Sequence, residues 1–226
     1  MQETTLLRPL AVGSMANIVY LIQDVNTQRV AVVDPAWEAQ RILAEVAALG
    51  GQLSDIFLTH SHSDHTNAVA ELHAQTQATV HLLRPEAEFW GAQAFPLTEH
   101  EDQDVCYLGD TPIRWLHTPG HTPGSACLLV GNDLLTGDTL FVYGCGRCDL
   151  RGGDAAQLFA SLHKLCTTLP AQTRIHPGHD YGCQPSSTLA EQMQGNPFLQ
   201  FTELTAFTHY RLYEHDRTRS SPYTPV

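Results

Sequence analysis

Within six positions the chain places three histidines and an aspartate, His60-Ser61-His62-Ser63-Asp64-His65, with only Thr59 between them and the apolar run Ile56-Phe57-Leu58. Alternate residues of an extended segment project to the same side, so His60 and His62 can share one metal ion. Asp64 and His65 then turn into the start of a helix and can face a second position. Imidazole nitrogens with a carboxylate oxygen suit catalytic zinc, which keeps a coordination position open. Three more donors stand in glycine-containing turns after apolar runs. They are His121 in Thr118-Pro119-Gly120-His121-Thr122-Pro123-Gly124, Asp138 in Thr136-Gly137-Asp138-Thr139 and His179 in Pro177-Gly178-His179-Asp180-Tyr181. Glycine lets the backbone bend sharply there and brings distant strand ends to one centre. Seven donors from four strand ends at one edge of a sheet make a two-metal site.

The elements that must position these donors are legible in outline. Ile18 to Ile22 and Arg29 to Val33 flank the turn residues Asp24-Val25-Asn26-Thr27 and read as an antiparallel hairpin. Asp34-Pro35 ends its second strand. Ile42, Leu43, Val46, Ala47 and Leu49 fall at helical spacing between Glu38 and Leu49, and Gly50-Gly51 stops that helix. Asp55 to Thr59 reads as the strand that delivers His60. A helix over Asn67 to Gln75 and a strand over Thr79 to Leu83 follow, an order that implies a parallel or mixed sheet. Pro85 to Gly91 reads as a short helix and Glu99 to Asp104 as an acidic, solvated loop. Strands are expected over Val105 to Leu108, Ile113 to His117, Ala126 to Val130 and Leu134 to Thr136. A helix over Asp154 to Leu165 and a strand near Thr173 to His176 repeat the earlier alternation. The polar, proline-containing stretch Thr208 to Val226 reads as a loosely attached tail.

Composition narrows the function classes. With 226 residues and 42% hydrophobic side chains the chain can bury a core, which excludes wholesale disorder. A net charge of -12 argues against nucleic acid, whose binding depends on neutralising phosphates with Lys and Arg. No apolar run approaches the ~20 residues needed to span a bilayer, and the N-terminus lacks the pattern of a secretory signal. The expectation is a cytoplasmic protein acting on a small molecule, without nucleic acid or membrane, and compatible with a homo-oligomer.

The ordered set H-x-H-x-D-H, Pro-Gly-His, Gly-Asp and Gly-His resembles the metallo-β-lactamase superfamily from about Asn17 to Leu199. The resemblance implies an α/β fold of the α+β kind, an αβ/βα four-layer sandwich with the site at one edge. Residues 1–207 would form that domain and 208–226 the tail. It also implies that His60, His62 and His121 bind one metal, that Asp64, His65 and His179 bind the other, and that Asp138 bridges them. Asp64 and Asp138 are then the candidate catalytic carboxylates. A hydroxide held between two divalent ions, zinc first and iron or a mixed pair otherwise, would be the nucleophile, since bound metal lowers the pKa of water from 15.7 towards ~7.

Within the superfamily, Gly144-Cys145-Gly146-Arg147 and His179-Asp180-Tyr181 resemble glyoxalase II, where the corresponding basic residue and tyrosine contact the glutathione portion of a thioester. Arg147 would clamp a substrate carboxylate and Tyr181 would donate a hydrogen bond to it. The chain departs from that family at Asp149, where the family has tyrosine. It also has too few residues after His179 for the family's C-terminal helical domain. The same segments, with Asp149, resemble persulfide dioxygenases, in which two histidines and one aspartate hold a single iron; here these would be His60, His121 and Asp138. Thioester or ester hydrolysis is the favoured expectation and persulfide oxidation the alternative.

Other reactive side chains carry plainer expectations. A lone C-x-x-C, Cys145 to Cys148, reads as packing thiols rather than a redox pair, and none of the six cysteines is required to pair. His117 and His176 lie near strand ends that precede ligands, where outer partners of the ligands can stand, but core or surface placement is the favoured expectation for them too. His73, His81, His100, His163, His209 and His215 are expected in the core or on the surface.

Overall fold

The structure, a computed structural model, describes residues 4–226. Its strands are β1 (Thr5–Val12), β2 (Asn17–Asp24), β3 (Arg29–Val33), β4 (Gln52–Phe57), β5 (Thr79–Leu83), β6 (Leu97–His100), β7 (Val105–Leu108), β8 (Thr111–His117), β9 (Ala126–Val130), β10 (Asp133–Gly137), β11 (Leu140–Phe141), β12 (Gly144–Cys145), β13 (Arg174–Pro177) and β14 (Ser187–Thr188). Its α-helices are α1 (Ala39–Ala48), α2 (Ser63–Thr66), α3 (Val69–Thr76), α4 (Arg84–Trp90), α5 (Ala155–Thr168), α6 (Leu189–Gly195), α7 (Leu204–His209) and α8 (His215–Thr218). A 3₁₀ turn at Pro197–Leu199 and a π-helical turn at Tyr210–Glu214 complete the set.

The first sheet runs in the order β1 to β6, antiparallel from β1 to β3 and parallel from β3 to β6. The second runs β14-β13-β10-β9-β8-β7, with β10 and β13 parallel and the other neighbours antiparallel. Strand β2 shows how the layers stack. All eight of its residues are buried. Val19 and Leu21 pack with Ile42 and Val46 of α1 and with Val69 and Leu72 of α3. Ile18, Tyr20 and Ile22 turn the other way and meet Ile113, Trp115, Leu128 and Leu135 of the second sheet. Period-two alternation with both faces covered therefore gives one helix-facing and one sheet-facing core. A third core joins Leu116, Leu134 and Ile175 of the second sheet to Leu158, Leu162 and Leu165 of α5. The result is helix, sheet, sheet, helix: the expected four-layer αβ/βα sandwich.

Three features differ from the sequence reading. Strand β1 was not expected, because Pro9 interrupts it; as an edge strand it tolerates a residue without an N–H. Strand β6 takes up Glu99 and His100, the start of the expected acidic loop, by pairing them with Leu82 and Leu83. The segment 208–226 is not a loose tail. Phe207, Arg211 and His215, four residues apart, are buried on one helical face, Tyr223 packs 5.1 Å from the His215 ring, and Val226 N–H donates to Gly195 O at 2.9 Å. Its polarity sits mainly on the solvent side, which hid the inward-facing positions. Among the described residues, no helix is long and apolar enough to cross a membrane.

Candidate metal centre

Parallel β4 ends at Phe57, and Leu58 and Thr59 carry the chain to His60. His62 is still extended (φ −61°, ψ 145°), and α2 begins at the next residue, which brings Asp64 and His65 round to a different side. His121 lies in the loop between β8 and β9, Asp138 directly after β10 and His179 directly after β13. Two close approaches demand glycine. A side chain at Gly178 would press on Asp138 Oδ1 at 2.8 Å and His65 Cε1 at 2.9 Å, and one at Gly146 would overlap the Asp138 carbonyl oxygen.

The seven donors converge in two groups. His60, His62 and His121 bring one nitrogen each within 4.8 Å of one another, and so do donors of Asp64, His65 and His179. His62 Nδ1 stands 2.8 Å from His121 Nε2, and His65 Nε2 stands 3.1 Å from His179 Nε2. Asp138 lies between them: Oδ1 is 3.4 Å from His65 Nε2, and Oδ2 is 3.4 Å from His179 Nε2 and 3.6 Å from His121 Nε2. Asp64 Oδ2 completes the second group, 3.4 Å from His179 and 3.6 Å from His65. Two nitrogens on a tetrahedral zinc stand about 3.3 Å apart, given Zn–N bonds of about 2.0–2.1 Å, so these spacings suit shared coordination. Two buried atoms of the set, His60 Nε2 and Asp138 Oδ1, have no hydrogen-bond partner among the described residues. Orphaned buried polar atoms are rare, and here both are metal-ligand types facing a common centre. The donor set fits one or two divalent ions.

The far side of nearly every ring is fixed. His65 Nδ1 meets Asp34 Oδ2 at 3.1 Å, His121 Nδ1 meets Arg147 O at 2.6 Å, His179 Nδ1 meets Met15 O at 2.9 Å and His60 Nδ1 meets Thr59 Oγ1 at 3.0 Å. Such contacts orient a ligand and set its tautomer. Asp34 also accepts from Thr59 N–H at 2.7 Å and Thr59 Oγ1 at 2.5 Å, so one carboxylate supports His65 directly and His60 through Thr59. Asp34 approaches His60 and His65 closely enough to form a third donor group. Its oxygens are already taken by Thr59 and by the rear nitrogen of His65, which makes it a support rather than a ligand. Asn17 donates from Nδ2 to Asp64 O (3.0 Å) and Asp64 Oδ2 (3.3 Å), and its Oδ1 accepts from Trp37 Nε1 at 3.2 Å.

The two groups differ in charge state. Burial and neighbouring histidines hold His60 well below the usual imidazole range, burial lowers His62, and burial pushes His121 down to about 4. In the second group burial also opposes charge on the histidines, but Asp138 outweighs it. His65 is raised, with Asp34 helping, and His179 is raised to about 10, with Asp64 helping. Asp64 falls to about 2 and Asp138 well below the carboxylate range, because the histidines beside them overcome the cost of burial.

Some predicted residues sit differently. The Arg147 side chain forks onto Asp149 at 2.8 Å through both Nε and Nη2, out in solvent, and it is the Arg147 carbonyl that touches the site. Tyr181 stacks on the His179 ring (4.7 Å, 5°) and its hydroxyl donates to Met15 O at 3.4 Å; burial pushes its pKa up to about 12. Cys145 and Cys148 are buried free thiols, both raised by burial, Cys148 to about 11. His117 and His176 contact Pro123 O at 2.9 Å and Asp133 at 2.7 Å rather than a donor of the site, in keeping with the favoured core or surface placement. The sequence reading missed Asp34 and Asn17 as supports. The available signal was place: Asp34 follows β3 as Thr59 follows its parallel neighbour β4.

The family profile described as Metallo-beta-lactamase superfamily matches residues 15–179, which include all seven donors. The chain belongs to the metallo-β-lactamase superfamily. Among its superfamily relatives is a "probable polyketide biosynthesis zinc-dependent hydrolase" of Bacillus subtilis, 32% identical over 86% of this chain and 87% of its own length. A hydroxyacylglutathione hydrolase of Fuscovulum blasticum is 40% identical over 73% of this chain and 63% of its own length. The mitochondrial persulfide dioxygenase ETHE1 of Bos taurus is 32% identical over 86% of this chain and 76% of its own length. The crystal structure of ETHE1 from Myxococcus xanthus superposes with a TM-score of 0.84 at 35% identity, covering 91% of this chain and 89% of that one. Membership, fold and donor set together make this a metallo-β-lactamase-fold metallohydrolase.

Proposed function

We propose that the protein hydrolyses a small thioester or ester at a two-metal centre, with zinc as the resident metal. One observation carries the reading: the second donor group, Asp64, His65 and His179, is complete and stands beside the first with Asp138 between them. Bound ions at such a centre supply a water activated at neutral pH and polarise the carbonyl to be attacked. His60, His62 and His121 hold one position, and Asp64, His65 and His179 the other. Asp138 spans both and orients the attacking water, while Asp64 brings the second position its own negative charge. Tyr181, protonated well above neutral pH, offers a hydroxyl donor beside His179. Arg147 reaches an anionic substrate tail only by exchanging Asp149 for it, and exposed pairs of this kind exchange at little cost. A glutathione thioester is one such substrate, in keeping with the hydroxyacylglutathione hydrolase relative.

A second reading, a persulfide dioxygenase using one Fe(II) at His60, His121 and Asp138, is favoured by the likeness to the two ETHE1 proteins. Elemental analysis of protein purified without added metal separates the two. About two zinc per chain, with turnover of S-lactoylglutathione or a simpler thioester, is the expected result. One iron per chain, oxygen uptake with glutathione persulfide and no thioester turnover would replace the proposal with the second reading.

A further inference from the structure

Glu86 is the residue in α4 whose place the metal reading leaves unexplained. It is fully buried, at 0% exposure, and all four of its close partners are neutral donors. Oε1 accepts from Ser61 N–H at 2.8 Å and Ser61 Oγ at 2.6 Å; Oε2 accepts from Thr122 Oγ1 at 2.7 Å and Gly124 N–H at 2.9 Å. Ser61 lies between His60 and His62, at the exit of the first sheet. Thr122 follows His121, in a loop of the second sheet. Even the absent side chain of Gly124 belongs to this contact, since a Cβ there would overlap the Glu86 backbone.

We propose that Glu86 is the positioning residue of the first metal position, tying the His60–His62 turn to the His121 turn and placing a carboxylate behind the three imidazoles. Each half of this rests on geometry. The three nitrogens come from two different sheets, and Glu86 hydrogen-bonds the residues next to them on both sides. The second position has Asp64 as its own carboxylate, whereas the first has only the share of Asp138. A buried carboxylate satisfied by neutral donors alone is costly unless a cation stands near. A dication held by His60, His62 and His121 is that cation, so each stabilises the other. Glutamine at this site cannot substitute: its amide would turn an N–H toward a donor that cannot accept, the backbone N–H of Ser61 or Gly124.

The inference rests on the two-position ligand reading, and the experiment separates the two. His179→Ala weakens the second position and leaves the first for measurement; His121→Ala does the reverse. Zinc affinity is measured for each by competition with a chromophoric chelator, with and without Glu86→Gln. Adding Glu86→Gln to His179→Ala is expected to weaken zinc by about 10- to 100-fold. Adding it to His121→Ala should leave affinity within about twofold, as for independent sites. Thr122→Val, which removes one of the four donors, should give a smaller loss with the same selectivity and serves if Glu86→Gln does not fold. Equal loss in both backgrounds, or none in either, overturns the role of Glu86 while the ligand reading stands. If His179→Ala and His121→Ala each still bind two ions like the wild type, the ligand reading falls and this inference with it.

Discussion

The two halves of the metal centre are built on opposite electrostatic plans from similar side chains. The first half gathers His60, His62 and His121, all held neutral by burial, with the Nε2 of His60 left bare. The second gathers Asp64, His65 and His179, where the carboxylates keep both histidines protonated more readily than usual. A neutral imidazole cage presents free lone pairs. A carboxylate–imidazolium cluster already carries protons where a metal would sit, and filling it means releasing them. The difference comes chiefly from Asp138, which raises both His65 and His179, helped by Asp34 at His65 and by Asp64 at His179.

Asp138 is the one donor common to both halves, so Asp138→Ala tests the comparison most severely. Turnover should fall by at least about a hundredfold, beyond what an outer contact costs, and bound metal measured by mass spectrometry should fall at both positions. An active variant with a full metal complement would sink the bridging assignment.

Acidity should then separate the halves. His179 keeps its proton up to about pH 10 in the metal-free protein, whereas His121 gains one only near about pH 4. Below its raised pKa the His179 proton competes with metal, so affinity at the second position should drop by about tenfold for each pH unit lowered through neutrality. The first position should hold steady over the same range. Titrating zinc at about pH 8 and again at about pH 6 checks this; parallel losses at both positions would mean the halves do not differ as described.

Asp34→Asn keeps the size of the side chain and removes its charge. Its direct bond is to His65 and its indirect one, through Thr59, is to His60. The second position should lose about 10- to 100-fold in metal affinity and the first distinctly less. Disturbing buried hydrogen bonds should cost about 1–3 kcal/mol of stability, read from urea unfolding of the metal-free protein. Asn17→Ala should act more mildly, about tenfold, and on the second position alone, because Asn17 bonds Asp64 and no ligand of the first group. Loss at the first position instead would reverse the assignment of Asn17.

The donors themselves were legible because their spacing is local. His60-x-His62 on an extended segment, followed at once by a helix start, divides its ligands between two directions with no help from the rest of the chain. His121, Asp138 and His179 were legible through their glycine-rich turns. The supports were not. Asp34 acts on residues 25 and 31 positions later, and Glu86 on residues 25 to 38 positions away on both sides. Met15 contributes only a carbonyl oxygen to His179, and a backbone atom leaves no mark in the residue type. Arg147 was read by its charge, yet its side chain belongs to Asp149 and its carbonyl to His121.

The same division holds for the scaffold. The apolar run Ile18 to Ile22 declared a strand, and the family resemblance implied the layered sandwich that buries it on both faces. The edge strand with Pro9 and the packing of Phe207, Arg211 and His215 were hidden. Single inward positions among polar neighbours carry little periodic signal until a partner surface exists. By itself the sequence determined which atoms could bind metal and that they would lie at strand ends, because residue type and local backbone period are properties of the chain. The tertiary structure decided how closely the donors approach, which carboxylates support rather than ligate, and which histidines stay neutral. Those depend on distances and burial that exist only once the two sheets meet.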